Sequence, residues 1–138
     1  MDTTKKNKTD DSDFEIGFCE GILKRSPDFI EALIVLGDLY TRKGLFEKGL
    51  EVDKRLASLR PGDGVILYNL ACSYSLVNQI DASFAAIQQA VECGYDELEF
   101  LEKDGDLENL RRDSRFQKFL AAAKAQGPKR GQEKKKVQ

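Results

Sequence analysis

The side chains that could do covalent or redox chemistry in this sequence are three cysteines, Cys19, Cys72 and Cys93, and the chain has no histidine. Without histidine it lacks the usual general base at neutral pH and the commonest zinc ligand. The cysteines are odd in number and have no CxxC spacing, which indicates reduced thiols and predicts a cytoplasmic protein. No cationic residue lies at helical spacing from Cys72, so we expect an inert thiol there.

Acidic residues alternate at Asp104, Asp106 and Glu108 in the manner of a calcium-binding loop. Gly105 is at the wrong position for such a loop, and no bidentate glutamate follows at the twelfth position. We therefore expect a solvated connector at these acids. The sequence contains no constellation of residues for catalysis, and it predicts a non-enzymatic protein without a cofactor or a metal.

Charge is distributed unevenly along the 138 residues, although the net charge is only −2. Residues 1–13 carry a net charge of −1, residues 14–123 carry −6, and residues 124–138 carry +5. The acidic body argues against a folded nucleic-acid-binding surface, whereas the basic tail could touch any polyanion. No apolar run approaches the length of a membrane span, and no apolar stretch typical of a secretory signal follows the first lysines.

The helices needed to position these residues are marked by proline, glycine and apolar spacing. Residues 1–11 are polar and predict a disordered tail, and a first helix is expected from Ser12 or Asp13 to just before Pro27. Its apolar positions are Phe14, Ile16, Phe18, Cys19, Ile22 and Leu23. Asp28 is a candidate cap for the next helix, which is expected to run to about Lys43.

The rest of the pattern predicts a helix from Phe46 to Ser58, a helix capped by Asp63, and a helix from Ile80 to Cys93. Three shorter helices are expected at 97–103, 106–112 and 113–126. Residues 127–138 are rich in glycine, lysine and glutamine and predict a disordered basic tail. The sequence therefore indicates one folded domain over residues 12–126, with a tail on each side.

One pattern occurs twice, 34 residues apart. The repeated positions are Leu33 and Leu67, Leu36 and Leu70, Gly37 and Ala71, and Tyr40 and Tyr74. Asn78 lies 34 residues after Gly44, and both residue types tolerate the left-handed backbone of a helix end. Small residues at Gly37 and Gly49, and at Ala71 and Ser83, predict that paired helices approach closely. A repeat of this length and pattern is the signature of the tetratricopeptide repeat.

The chain thus resembles the tetratricopeptide repeat (TPR) family over about 110 residues. Residues 30–61 and 65–95 resemble two full repeats, residues 12–27 resemble part of a preceding one, and residues 68–120 are similar to the terminating segment of many bacterial members. The resemblance implies an all-α fold of antiparallel helix pairs. It would be a TPR-like α-solenoid of about two and a half repeats with a C-terminal helical cap.

The resemblance also implies a binding groove along the inner helix of each pair. The candidate groove residues are Glu31, Ile34, Asp38, Arg42, Val65, Tyr68, Asn69 and Cys72. In members that bind chaperones, lysine, asparagine and arginine form a carboxylate clamp. Ile34 and Asp38 occupy two clamp positions here and argue against that ligand, although Asn69 matches another.

The sequence leaves two functions open. The first is a non-catalytic adaptor or scaffold that binds an apolar or amphipathic protein segment with basic residues nearby, because Ile34, Val65 and Tyr68 are apolar while Glu31 and Asp38 are acidic. The alternative is an electrostatic binder that uses the basic tail on nucleic acid or an anionic surface. Whether the groove is open, or covered by the N-terminal helix or the C-terminal segment of the chain, is undecided from the sequence.

Overall fold

A computed structural model describes the backbone of residues 2–127 and the side chains of residues 11–127. Within this part of the chain all regular elements are helical, as the sequence predicted. The elements are α1 (Asp2–Arg25), α2 (Ile30–Arg42), α3 (Phe46–Leu59), α4 (Gly64–Leu76), α5 (Ile80–Glu92), α6 (Leu98–Leu101), a 3-10 turn (Gly105–Leu107), α7 (Glu108–Arg111) and α8 (Ser114–Gln126).

The first helix is longer than the sequence predicted. It begins at Asp2, so the structure has helical backbone where we expected a disordered tail over residues 1–11. No proline or glycine lies between Asp2 and the apolar part of the helix, and the intervening polar residues are tolerated in helices.

The predicted basic tail lies outside the described residues, apart from Gly127, and the domain limits of 12–126 stay a prediction.

The chain consists of two compact units, Met1–Leu59 and Arg60–Gln138. In the first unit, α1 and α3 each pack against α2. A buried cluster in this unit comprises Cys19, Leu36, Leu39 and Tyr40, and Ile16, Leu23 and Val52 pack against it. The Tyr40 hydroxyl donates a hydrogen bond to the Glu20 carboxylate, which ties α1 to α2.

The two backbones of the first pair approach closely at Gly37 and Gly49, as predicted. A Cβ atom on Gly49 would lie 3.7 Å from the Gly37 carbonyl oxygen and 3.1 Å from Oγ1 of Thr41. The prediction that Asp28 caps α2 is wrong. Phe29 is the capping residue and makes no side-chain cap, whereas Asp28 forms an ion pair with Arg55 because its side chain reaches across to α3.

The second unit repeats the helix pair with α4 and α5. Oγ of Ser83 donates a 2.7 Å hydrogen bond to the carbonyl oxygen of Ala71, which confirms the predicted proximity. Asp63 caps α4 by accepting hydrogen bonds from two backbone N–H groups of its first turn. The left-handed backbone at the helix end also recurs, because Gly44 in the first unit has φ 81° and Asn78 in the second has φ 63°.

Helix α8 covers α5 at the end of the second unit. Phe116 and Leu120 are buried, and Phe119 contacts Phe84 edge-on with 5.8 Å between ring centroids. Arg115 lies over the Phe84 ring at 5.0 Å and pairs with Asp81 at 2.7 Å. This arrangement buries the apolar side of the last helix pair, as expected of a terminal cap.

Candidate functional site

The first unit exposes a continuous face of α2 that packing does not use. At 3.6 residues per turn, five positions share this side of the helix. We call them the α2 face: Glu31, Ile34, Val35, Asp38 and Arg42. Ile34 is 47% exposed and Val35 is 48% exposed, although both are apolar and β-branched. The α2 face is therefore an apolar strip with charged neighbours.

Charge on the α2 face is partly neutralised within the helix. Nε of Arg42 lies 3.0 Å from a carboxylate oxygen of Asp38, one turn earlier, and both side chains are exposed. Glu31 has the same sign as Asp38, so two acids face one base and the strip carries one net negative charge. An exposed pair of this kind adds little to stability, so the charges are free to contribute to recognition.

The four α2 residues predicted from the sequence lie together on this face, but Val35 was missed. The signal was present, because Val35 follows Glu31 by one turn and Asp38 follows Val35 by three residues. The repeat carried the same signal, since Val35 lies 34 positions before Asn69, which was itself a predicted groove residue.

The corresponding face of α4 in the second unit is largely covered. The sequence predicted Tyr68 and Cys72 as groove residues and left undecided whether the groove is open. Tyr68 is only 5% exposed and Cys72 is also buried, so neither residue is available to a partner. The cover is provided by the chain itself, by α6, the 3-10 turn and α7, which together we call the covering segment (residues 98–111). Packing of the 3-10 turn and α7 against α4 removes these positions from solvent.

Tyr68 is held by contacts on several sides. Its ring stacks on Tyr95 with centroids 4.5 Å apart and an angle of 7° between planes, and it makes a tilted contact of 6.2 Å with Phe100. Its hydroxyl donates a hydrogen bond to the carboxylate of Asp104. The central aromatic expected to anchor a partner therefore anchors the chain's own C-terminal part.

Polar contacts at Ser75, about two turns beyond Tyr68 on α4, also fix the covering segment. Nδ2 of Asn109 donates to the carbonyl oxygen of Ser75 at 2.9 Å, and the backbone N–H of Leu110 donates to Oγ of Ser75 at 3.1 Å. Arg111 donates to the carbonyl oxygens of Leu101 and Asp104, at 2.9 and 2.6 Å. These bonds satisfy buried backbone groups that would otherwise oppose burial of the segment.

Burial raises the pKa of Tyr68, Cys72 and Tyr95. Desolvation is the main cause for Tyr68, Cys72 and Tyr95, and it raises the pKa of Tyr95 to about 12. The charge of Asp104 further raises the pKa of the Cys72 thiol. Because a reactive thiol needs a lowered pKa and access to solvent, Cys72 is an inert buried thiol.

Val65 and Asn69 are the predicted groove residues of the second unit that stay exposed. Both lie on α4, three residues before and one residue after the buried Tyr68. The eight predicted residues thus divide into four on the exposed α2 face, two exposed on α4, and the buried pair Tyr68 and Cys72.

The alternating acids have a structural role in the described part of the chain. Asp104 caps the 3-10 turn by accepting a hydrogen bond from the backbone N–H of Asp106 at 2.9 Å. Its other carboxylate oxygen accepts from Tyr68. Among the described residues, no group of three His, Cys, Asp or Glu side chains is arranged to hold a metal ion.

None of the helices in the described residues combines the length and the apolar character needed to cross a bilayer.

Paired antiparallel helices with a 34-residue repeat, closely packed small residues and a helical cap define a TPR-like fold. Solved structures of MamA, a TPR-containing protein, share this fold. "MamA 41-end from Desulfovibrio magneticus RS-1" has a TM-score of 0.68 at 21% identity, covering 87% of this chain and 66% of that one. "MamA RS-1 ArsTM double mutant" has a TM-score of 0.69 at 18% identity, covering 91% and 70%.

The sequence is also similar to a curated chloroplastic protein from Arabidopsis thaliana. The two are 32% identical over 84 residues, which is 59% of this chain and 25% of that protein. The present chain therefore matches about a quarter of the relative's length. No protein-family model matches the sequence.

Proposed function

We propose that this protein is a non-catalytic protein-interaction module that binds a segment of another polypeptide on the α2 face. The observation that carries the proposal is the exposure of Ile34 and Val35 side by side on a helix face that intramolecular packing does not need. The similarity to MamA supports the helix-pair fold, and such repeats commonly present binding surfaces along their inner helices.

The second unit offers an internal example of how such a face binds polypeptide. The covering segment lies on α4 through one aromatic anchor, Tyr68, and through hydrogen bonds to the backbone and side chain of Ser75. Ile34 is the residue 34 positions before Tyr68 and has no comparable cover. A partner segment on the α2 face would supply for Ile34 and Val35 the apolar contacts that Phe100 and Tyr95 supply for Tyr68.

The charges of the α2 face specify the chemistry of this segment. Asp38 is neutralised by Arg42, whereas Glu31 has no ion pair among the described side chains within the salt-bridge distance. We therefore expect an apolar or amphipathic segment with a lysine or arginine placed to meet Glu31. Such complementarity mainly sets the association rate and the specificity.

The test is selection from a displayed library of random short peptides with the full chain as bait. Enriched peptides are synthesised and titrated calorimetrically against the wild type and against Ile34→Asp/Val35→Asp. We expect enrichment of apolar residues with lysine or arginine, and a loss of about tenfold or more in affinity for the double variant. Glu31→Lys should reduce the association rate and reverse its salt dependence.

Two matched controls locate the effect. Gln88→Asp changes an exposed residue of α5 and should leave affinity unchanged. Val65→Asp places the same charge on an exposed apolar residue of α4, and unchanged affinity would restrict binding to the α2 face. Equal binding by wild type and Ile34→Asp/Val35→Asp, or no enrichment at all, would contradict the proposal.

The alternative, polyanion binding through residues 127–138, concerns a segment outside the described residues except for Gly127 and stays a prediction. The predicted cytoplasmic location also stays a prediction. A chain that ends at Gln126 separates the two functions, because binding on the α2 face would survive this truncation and tail-driven binding would not.

A further inference from the structure

The first unit has a second exposed apolar surface, on α1, on the side of the helix away from its buried residues. Phe14 is 74% exposed and Phe18 is 63% exposed, one turn apart. Their rings stack on each other with centroids 6.5 Å apart and an angle of 15° between planes. From the sequence both were expected in the apolar face of the helix. Ile16, Cys19 and Leu23 form the packed face, and the two phenylalanines point away from it.

Two glycines share the side of α1 that carries the phenylalanines. Gly17 and Gly21 alternate with Phe14 and Phe18 at spacings of three and four residues, so the four residues form one stripe. A Cβ atom on either glycine would meet nothing within 4 Å. Gly37 and Gly49 make room for neighbouring atoms of the first unit. For Gly17 and Gly21, by contrast, no contact within the described chain explains why the residue is a glycine.

We propose that this stripe is a homodimer interface in which α1 pairs antiparallel with α1 of a second copy. In an antiparallel pair with a twofold axis between residues 17 and 18, position 14 faces position 21 and position 17 faces position 18. Each phenylalanine of one copy then lies opposite a glycine of the other. Such self-complementarity is what a twofold, isologous interface requires.

Charge selects the same orientation. The described side chains of α1 are acidic toward its N-terminal end, at Asp11, Asp13 and Glu15, and basic at its C-terminal end, at Lys24 and Arg25. The antiparallel register brings Asp11 of one copy beside Lys24 and Arg25 of the other, twice per dimer. A parallel pair would place like charges together at both ends.

The size of the stripe sets the expected strength. Positions 11–25 span about 21 Å of helix, and one helix face is about 10 Å wide. This is smaller than a standard interface, which buries about 800 Å² on each partner. We therefore expect a reversible dimer with a dissociation constant on the order of micromolar.

The experiment is sedimentation velocity on the full chain from low-micromolar to submillimolar concentration. The wild type is expected to show a concentration-dependent dimer. Phe14→Ala/Phe18→Ala should weaken the association by about tenfold or more, since it removes the buried aromatic contacts. Phe29→Ala is the matched control, because Phe29 is also exposed in the first unit but lies outside α1.

A second variant separates loss of the interface from loss of the fold. Gly17→Gln/Gly21→Gln fills the space that faces the phenylalanines, and the described chain has open space at both positions. Glutamine favours helix more than glycine, so the thermal midpoint of the monomer should rise while dimerisation is lost. A rise in the midpoint with unchanged dimerisation would overturn the proposed register.

The orientation is tested by charge exchange. Asp11→Lys and Lys24→Asp should each weaken the dimer, and the double variant Asp11→Lys/Lys24→Asp should restore it. A chain that stays monomeric at every concentration overturns the proposal and leaves the stripe to a different protein. A dimer that persists in Phe14→Ala/Phe18→Ala overturns it as well, because the interface would then lie elsewhere.

Discussion

The same helix face has opposite outcomes in the two units of this protein. Ile34 on α2 is exposed, whereas Tyr68, 34 residues later on α4, is buried beneath the covering segment. The helix pairs themselves are alike, since each has a close approach of small residues and a left-handed turn at Gly44 or Asn78. A repeat pattern therefore specifies the pair, but it does not specify whether the inner face is available to a partner.

Removing the covering segment and α8 is the test of this comparison with the largest expected effect. In a chain that ends at Tyr95, the faces of α4 and α5 that contact the covering segment and α8 lose their apolar partners, which include Leu101, Leu107 and Phe116. We expect aggregation or loss of cooperative unfolding, measured by light scattering and thermal denaturation. A monomeric 1–95 fragment that unfolds cooperatively would show that the cover is dispensable.

The second test compares equivalent positions directly. Tyr68→Ala removes a buried aromatic ring and leaves Asp104 without its hydroxyl donor, so we expect a loss of about 3–5 kcal/mol in the free energy of unfolding. Ile34→Ala changes an exposed side chain and should alter stability by about 0.5 kcal/mol or less. Chemical denaturation measures both, and equal losses would remove the distinction between the two faces.

The third test concerns the close approach within the first pair. A Cβ atom on Gly37 would lie 3.2 Å from a carboxylate oxygen of Asp53 and 3.4 Å from Cγ1 of Val52. Gly37→Leu should therefore destabilise the protein by about 1–3 kcal/mol through overpacking. Gly62→Leu is a control without crowding, because nothing lies within 4 Å of a Cβ atom there. An unchanged melting temperature for Gly37→Leu would argue against tight packing of α2 on α3.

The fourth test uses pH and is expected to have the smallest effect. Burial raises the pKa of Tyr68 in the folded state and raises that of Tyr40 to about 12, above the value of about 10 in an unfolded chain. The folded state therefore retains the phenolic protons more strongly. The associated stability is fully present below pH 10 and declines as pH rises above it.

Replacing each tyrosine in turn shows which of the two contributes more to the stability that is lost above pH 10. Tyr68→Phe should be less stable than the wild type at pH 7, by about 1 kcal/mol, because a hydrogen bond is lost. Its stability should then fall less steeply above pH 10. Tyr40→Phe should also make the free energy of unfolding fall less steeply above pH 10, but by a smaller amount than Tyr68→Phe does. Chemical denaturation from pH 7 into the alkaline range measures these slopes. The same dependence of stability on pH in the wild type, Tyr68→Phe and Tyr40→Phe would contradict the prediction.

Much of the candidate site was accessible from the sequence, but its exposure was not. The positions of Glu31, Ile34, Asp38 and Arg42 on one side of α2 follow from helical spacing alone. The exposure of Val35 was missed although its counterpart in the next repeat, Asn69, was a predicted groove residue. The covering of Tyr68 could not be read from a pattern, because it depends on one hydrogen bond to Asp104, 36 residues away, and on stacking with Tyr95.

The amino-acid sequence alone predicts the helix pairs, their 34-residue period, the cap at Asp63 and the turns at Gly44 and Asn78. These features depend on local backbone preferences and on apolar spacing within each repeat, which short-range physics decides. Two features are visible only in the folded chain: the non-periodic residues 98–111 cover α4, and Phe14 and Phe18 point away from the core. Those outcomes depend on which surfaces remain after the helices have packed, and only the folded chain defines such surfaces.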